Sequence, residues 1–254
     1  LDRYAEQLAL TLLSKARELT LFCYSELLNP IRQADGTSTP GSSVAPVAGD
    51  VLERVDALLG SLGQPLGVKS YKPYHSSGED FLHSFLGNAG IPIELTPELS
   101  EKDDVVLLAE SARFDPTLVE KIKARLTAGK TVVLTSGLLR ALQGKGLEDI
   151  VELTATDLKV STSRFTDWRN VFEAARPLLL PQIHYATNDS WEDLTALDGA
   201  TGYPLLHHAD YGPGRLVVLT IPDNPSALYD LPAPILNRIR AAVTRGLPVR
   251  LGGP

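Results

Sequence analysis

Methionine is absent from the 254 residues, and cysteine occurs once, at Cys23. A lone cysteine excludes an internal disulfide framework and any cysteine-rich metal site, and it leaves the redox compartment open. No apolar run approaches the roughly 18 residues of a membrane-spanning helix, and the opening residues do not read as a secretory leader. A soluble protein without a membrane partner is therefore expected, with a cytoplasmic setting slightly favoured. Basic clusters are missing as well. With a net charge of −7, the chain offers no clustered basic face for phosphates, so a nucleic-acid partner is not expected. No internal repeat, H-x-x-x-H spacing or clustered carboxylate pattern occurs, so neither a metal centre nor a cofactor is expected. The lack of methionine, together with a helical pattern that starts uncapped at Leu1, suggests a piece of a longer polypeptide.

What is present is the composition of an ordinary globular protein, 43% hydrophobic and 22% charged. The length suffices for one large core or two small ones. The most regular stretch runs from Asp103 to Leu142. Val105–Ala109 is an unbroken apolar run with β-branched residues, which predicts a strand covered on both faces, as parallel strands are. Asp115-Pro116 then offers an N-cap with proline at the first helical position. Leu118, Val119, Ile122 and Leu126 follow at helical spacing until Gly129 stops them. Thr131–Thr135 is a second β-branched run, and Ser136-Gly137 turns directly into Leu138, Leu139, Ala141 and Leu142. Strand, helix, strand, helix within about 40 residues predicts a right-handed βαβ unit. Ligands of an open parallel sheet sit beyond the carboxyl ends of its strands, here Glu110-Ser111-Ala112 and Ser136-Gly137.

Around this unit the chain reads in order. Tyr4, Leu8, Leu12 and Leu13 make one face of a buried helix, and Glu18–Tyr24 reads as a strand ending at Ser25-Glu26. This segment, 1–28, is either the end of a (β/α)8 barrel, whose catalytic groups lie at strand C-termini, or an extra helix and edge strand of the main domain. Residues 29–50, rich in Pro, Gly, Ser and Thr, predict a flexible linker and the domain boundary. The main domain is expected over 51–254, opening with a helix at Val51–Leu62. A strand Leu66–Ser70, helix Asp80–Asn88 and strand Ile91–Leu95 would complete a doubly wound, mostly parallel α/β sheet of flavodoxin type. The last third predicts short strands at Val151–Leu153, Lys159–Ser163 and Ile183–Ala186, and a short helix at Trp168–Ala175. Antiparallel strands Leu194–Leu197, Tyr203–His208 and Arg215–Ile221 follow, then a final helix Pro234–Thr244.

Candidate site residues concentrate near the predicted strand ends. Tyr71, Lys72, Tyr74 and His75 form a polar loop before the Ser76-Ser77-Gly78 helix start, where backbone N–H groups could hold a carboxylate, a phosphate or sugar hydroxyls. With Glu110 this is the expected ligand site; the alternative is a loop packed by its own tyrosines or against another domain. Glu79 and Asp80 are assigned to the dipole of the following helix. Ser136 is a candidate nucleophile, although Thr135-Ser136-Gly137-Leu138-Leu139 matches the G-x-S-x-G elbow poorly and a helix cap is the commoner role for a serine there. Glu26 would face an active-site wall if the first segment ends a barrel. His83 and His184 read as structural, and His207 and His208 point to opposite faces of one strand.

The segments DVVLLAES, FDPTLVEKIKARLTAGKTVVLTSGLL and GYPLLHHADYGPGRLVVLTIPDN resemble the class I glutamine amidotransferase-like α/β fold. The likeness is greater to its non-catalytic version, the trimerisation domain behind the barrel of bacterial β-galactosidases and related glycoside hydrolases. The resemblance covers roughly Gly63 to Gly246 and implies a non-catalytic assembly domain, with a homo-oligomer or an adjacent barrel domain as partner and a possible carbohydrate ligand. The alternative reading is a stand-alone hydrolytic or small-molecule-binding α/β protein using Ser136, His75 and Glu110, and the resemblance does not imply glutaminase chemistry. That reaction needs a thiolate at the strand-to-helix turn, and this chain has Ser136-Gly137 there, with Cys23 far upstream.

Overall fold

The computed structural model describes residues 2–14, 16, 18–21, 27, 29–30, 32–38, 44–186, 189–245 and 247. They fall into two compact units, 1–65 and 66–254. In the first unit, α1 (Asp2–Leu13) and α2 (Val44–Leu59) bury Leu8 against Ala48, Val51 and Val55. Residues 44–50, expected to be linker, are thus the start of α2. Pro46 made them read as linker, yet proline is tolerated in a first helical turn, where its missing N–H has no partner to lose. Helix α2 also belongs to the first unit and not to the α/β domain. Of the strand expected at Glu18–Tyr24, residues 18–21 are not in a strand, and 22–26 lie outside the described residues.

The second unit is built on one nine-stranded sheet, ordered β2-β1-β3-β4-β9-β8-β7-β5-β6. Its strands are β1 (Val68–Tyr71), β2 (Ile93–Thr96), β3 (Val105–Leu108), β4 (Thr131–Thr135), β5 (Leu153–Thr166), β6 (Val171–Tyr185), β7 (Ser190–Asp198), β8 (Thr201–Tyr211) and β9 (Gly214–Leu219). As the two β-branched runs predict, β3 and β4 are parallel neighbours, with Val106 opposite Val132 and Leu108 opposite Leu134. The whole is not the doubly wound, mostly parallel flavodoxin- or amidotransferase-like sheet expected from the sequence. Four pairings are parallel and four antiparallel, and the longest strands, β5 and β6, are in the antiparallel half.

The reason is visible in the burial pattern. Strand β5 alternates between core and solvent, and bulges between Ala155 and Lys159 and between Thr162 and Arg164 break the period of two. One long strand therefore reads in sequence as two short ones. The helix expected at Trp168–Ala175 is instead the turn and first residues of β6. Strand β9 is the seam, hydrogen-bonded in parallel to β4 and in antiparallel to β8. The sheet's outer strands are β2, only four residues long, and β6, which carries Pro177 and Pro181.

Both faces of the parallel half are covered. Val105 and Leu107 of β3 pack with Leu82 and Leu86 of α3 (Leu82–Asn88) and with Ile235 and Ile239 of α6 (Ala233–Val243). Val106 and Leu108 face the other way, onto Leu118 and Ile122 of α4 (Leu118–Thr127) and Leu138 and Leu139 of α5 (Ser136–Leu142). Each such fully buried side chain contributes about 1.5–3 kcal/mol of transfer free energy. The sandwich fixes the carboxyl ends of β3 and β4 side by side.

Candidate functional site

Strands β3 and β4 and the segment after β9 end around one cleft of about 500 Å³, lined by Glu79, Glu110, Ser136, Gly137, Lys159 and Asp223 among others. This is the crevice that an open parallel sheet offers to ligands. Its floor is organised by Glu79, a residue the sequence assigns to a helix dipole. The helix α3 starts only at Leu82, and the chain before it is twisted into left-handed backbone at Gly78 (φ 119°), Glu79 (φ 47°) and Phe81 (φ 68°). This conformation turns the Glu79 carboxylate inward, away from α3.

There the carboxylate accepts three hydrogen bonds. Oε2 takes the Glu110 backbone N–H at 2.8 Å and the Thr135 hydroxyl at 2.5 Å, and Oε1 takes the Gly137 N–H at 3.2 Å. One side chain from the loop after β1 thus ties together the ends of β3 and β4 and the start of α5. Burial pushes the Glu79 carboxyl above the ordinary carboxylate range, while the bonds from Thr135, Glu110 and Gly137 oppose the shift. The fit is close. A Cβ on Gly137 would run into the Glu79 carboxylate, and a Cβ on Gly78 would lie 2.9 Å from the Glu110 side chain. Glu110 itself pairs with Arg113.

Ser136, the candidate nucleophile, is buried, and its Oγ accepts the Ile221 backbone N–H at 2.9 Å. Its backbone is not left-handed, and no histidine lines the cleft among the described residues. The helix cap expected of Ser136 is supplied by Thr135, whose Oγ accepts the Leu138 N–H at 3.2 Å. Thr135 therefore caps α5 and anchors Glu79 with the same oxygen. What remains is a cradle of N–H donors of the kind that binds anions at a helix start, with an internal carboxylate already in it.

The expected ligand loop does not converge. Tyr71 is the last residue of β1, and its buried hydroxyl donates to Asp115 Oδ2 at 3.0 Å, so that neither residue lines the cleft. Burial and the Asp115 bond push the Tyr71 phenol up to about 12. Lys72 pairs with Asp80 at 3.3 Å. Tyr74 is 79% exposed, and His75 stands exposed at φ 59°. Ser76 donates its hydroxyl to the Pro73 carbonyl, and Ser77 is exposed. Only Glu110 of that set lines the cleft; Glu26 lies outside the described residues. The sign of Glu79 in the sequence was slight: a glycine before it, and a second glycine after the serine at the β4 turn.

Asp115 organises the N-terminal end of α4. It accepts from Lys121 at 2.6 Å, from the Thr117 N–H at 2.9 Å and from the Thr117 hydroxyl at 2.8 Å, besides Tyr71. Although burial works the other way, these bonds hold its carboxyl down to about 2. Of the histidines, His83 contacts Ser70 Oγ at 2.8 Å, and burial lowers its pKa. His207 is buried, and its pKa is pushed down to about 4. Its neighbour His208 is turned to the other face of β8, against Asp193. No group of three or more potential metal ligands forms among the described residues.

Residues 63–224 match the family model described as uncharacterized protein SSO3021, second domain, and residues 1–60 match one described as probable glycosyl hydrolase, catalytic domain. A search of curated proteins finds no match. Among solved structures, the β-galactosidase of the Antarctic haloarchaeon Halorubrum lacusprofundi aligns with a TM-score of 0.51 and 16% identity, over 86% of this chain and 36% of that one. The cold-adapted β-galactosidase of Rahnella sp. R3 aligns at 0.49 and 14%, over 71% and 33%. That of Bacillus circulans sp. alkalophilus aligns at 0.46 and 12%, over 83% and 36%. The chain thus spans about a third of the length of these enzymes. At 16% identity the haloarchaeal match is a likeness of fold alone. No described helix is long and apolar enough to cross a membrane.

Proposed function

The chain belongs to the family of the second domain of uncharacterized protein SSO3021, and we propose that residues 66–254 serve as the non-catalytic assembly domain of a carbohydrate-active, glycoside hydrolase-like enzyme. Its partner is an adjoining barrel domain or further copies of the chain, in the manner of a trimerisation domain. The observation that carries this reading is the occupied cradle. Acyl transfer at the strand ends needs free N–H donors for a developing oxyanion and a nucleophile activated by a base. Here the donors hold Glu79, and the Ser136 hydroxyl is engaged by Ile221. The match of residues 1–60 to a glycosyl hydrolase catalytic domain supports a parent enzyme of that class.

Two measurements test it together. The chain is expected to turn over neither nitrophenyl esters nor nitrophenyl glycosides, and light scattering at micromolar concentration is expected to report an oligomer or, with the parent barrel supplied, a complex. Turnover that disappears in Ser136→Ala would overturn the non-catalytic assignment. A monomer that ignores the barrel would overturn the assembly role.

A further inference from the structure

The chain's only two tryptophans, Trp168 and Trp191, lie far apart in sequence but line the same open cleft of about 900 Å³. The cleft lies between the antiparallel strands and the end of α6, shares no lining residue with the cleft at Glu79, and is within the ordinary size of small-molecule sites, about 300–1,000 Å³. Both indoles are unusually bare: Trp168 is 70% exposed and Trp191 is 51% exposed. Large aromatic surface left in water on a folded domain is the informative exception.

Each ring is nevertheless held. Trp168 occupies the β5–β6 turn with left-handed backbone, φ 69°, a strained setting for a bulky side chain. Around it the Thr166 hydroxyl accepts the Trp168 N–H at 3.0 Å and donates to the Asn170 carbonyl at 2.8 Å. Asp167 accepts the N–H groups of Arg169 and Asn170. The indole N–H of Trp168 donates to the Glu192 carbonyl, next in the chain to Trp191. The Trp191 ring is stacked on the His208 imidazole, centroids 5.1 Å apart and planes 20° from parallel, and His208 is held by Asp193 at 2.7 Å. A turn that glycine or asparagine would serve without strain thus presents an indole to solvent, beside a second indole fixed by stacking.

The polar lining is balanced in charge. Arg215 forms a two-point pair with Asp210, at 2.6 and 2.9 Å, and Arg238 reaches Asp167 at 3.5 Å. Glu192 accepts from the Tyr185 hydroxyl at 2.7 Å and from Thr195. The guanidiniums of Arg169 and Arg245 are exposed and make no hydrogen bond or ion pair with described residues. Four carboxylates thus face four guanidiniums, so no net field selects an ion, while donors and acceptors lie beside flat apolar rings. We propose that this cleft binds a neutral oligosaccharide. The indoles would stack on the C–H faces of successive pyranose rings, and Arg169, Arg245 and the carboxylates would exchange hydrogen bonds with the hydroxyls. This goes beyond the assembly role and does not depend on it.

Because both tryptophans line the cleft, intrinsic fluorescence reports on it directly. The full chain is titrated with the β-1,4-linked tetrasaccharides of galactose, glucose and mannose, up to about 20 mM, which is weaker than millimolar affinity. At least one is expected to give a saturable blue shift. In Trp191→Ala and Trp168→Asn, calorimetry with the same sugar is expected to show at least about a tenfold loss of affinity, and Tyr74→Ala is expected to bind as the parent does. Asparagine accepts left-handed backbone, so Trp168→Asn separates loss of the ring from loss of the fold. Absence of a shift with all three sugars overturns the proposal, as does unchanged affinity in the two folded tryptophan variants. An emission shift that depends on protein concentration and vanishes in those variants would assign the cleft to a contact between copies, and overturns it too.

Discussion

Replacing Glu79 by alanine tests whether the cradle is filled from within. The substitution removes the acceptor for the Glu110 N–H at 2.8 Å, the Thr135 hydroxyl at 2.5 Å and the Gly137 N–H at 3.2 Å. A donor left buried without a partner costs about 1–3 kcal/mol. The Thr135 hydroxyl can rotate and the Gly137 bond is long, so the sum lies toward the low end, about 3 kcal/mol. Releasing a buried carboxyl that burial already disfavours returns part of this, leaving a net loss of about 2 kcal/mol. In a unit of this size that lowers Tm by about 4–8 °C, measured by calorimetry or circular dichroism. Backbone strain does not enter, because alanine at φ 47° is strained as glutamate is. Formate is the sharper probe: it should enter the emptied cradle and restore part of the Tm of Glu79→Ala, while leaving the parent unchanged. If Glu79→Ala melts within about 0.5 kcal/mol of the parent, or if formate acts on both alike, the carboxylate is not what satisfies these donors. The case for a closed, non-catalytic strand-end site would then fail.

Three further outcomes follow from the same geometry. Gly137→Ala drives a methyl into the Glu79 carboxylate and is expected to destabilise by about 1–3 kcal/mol, less so when combined with Glu79→Ala; full additivity of the two in denaturant melts would contradict the contact. Asp115 is held at about 2, below its usual 3.8, so the folded state binds its proton less readily than the unfolded chain does. The stability it contributes is complete above about pH 4 and is lost as pH falls toward 2, by up to about 2 kcal/mol; Asp115→Asn should flatten that limb of the stability–pH curve. Trp168→Asn relieves left-handed backbone at the β5–β6 turn and is expected to hold or raise stability by about 0.5 kcal/mol, and a clear drop in Tm would show that the exposed indole supports the fold.

The parts of the fold legible in the sequence were those settled by local composition. Thr131–Thr135 is a strand over the residues expected, and Val105–Leu108 lies beside it in parallel, because an unbroken β-branched run fits a strand covered on both faces and little else. The antiparallel half was not legible as a whole. The β8–β9 hairpin lies where antiparallel strands were expected, but β5, β6, β7 and β8 are bulged, so their period of two is interrupted even though β5–β6 and β7–β8 pair across short turns. The site was missed for a related reason. Glu79 and Asp80 have the composition of a first helical turn, and only the left-handed backbone at Glu79 and Phe81, with a cradle formed by residues 110 and 137, turns one of them inward. Tyr71 to Ser77 are polar and adjacent in sequence, yet adjacency did not bring them to a common point: Tyr71 faces Asp115 while Tyr74 and His75 face solvent.

The two prolines of β6 constrain how copies of this domain can meet. An outer strand with a free row of N–H and C=O groups invites a neighbour to pair with it, but Pro177 and Pro181 remove donors from that row, and β2 at the other margin is too short to template much. A continuous sheet running from one molecule into the next is therefore disfavoured at both margins. Any association has to be made through side chains on the faces and loops, which single substitutions can dissect, and which keeps an assembly finite where backbone pairing would grow a fibre.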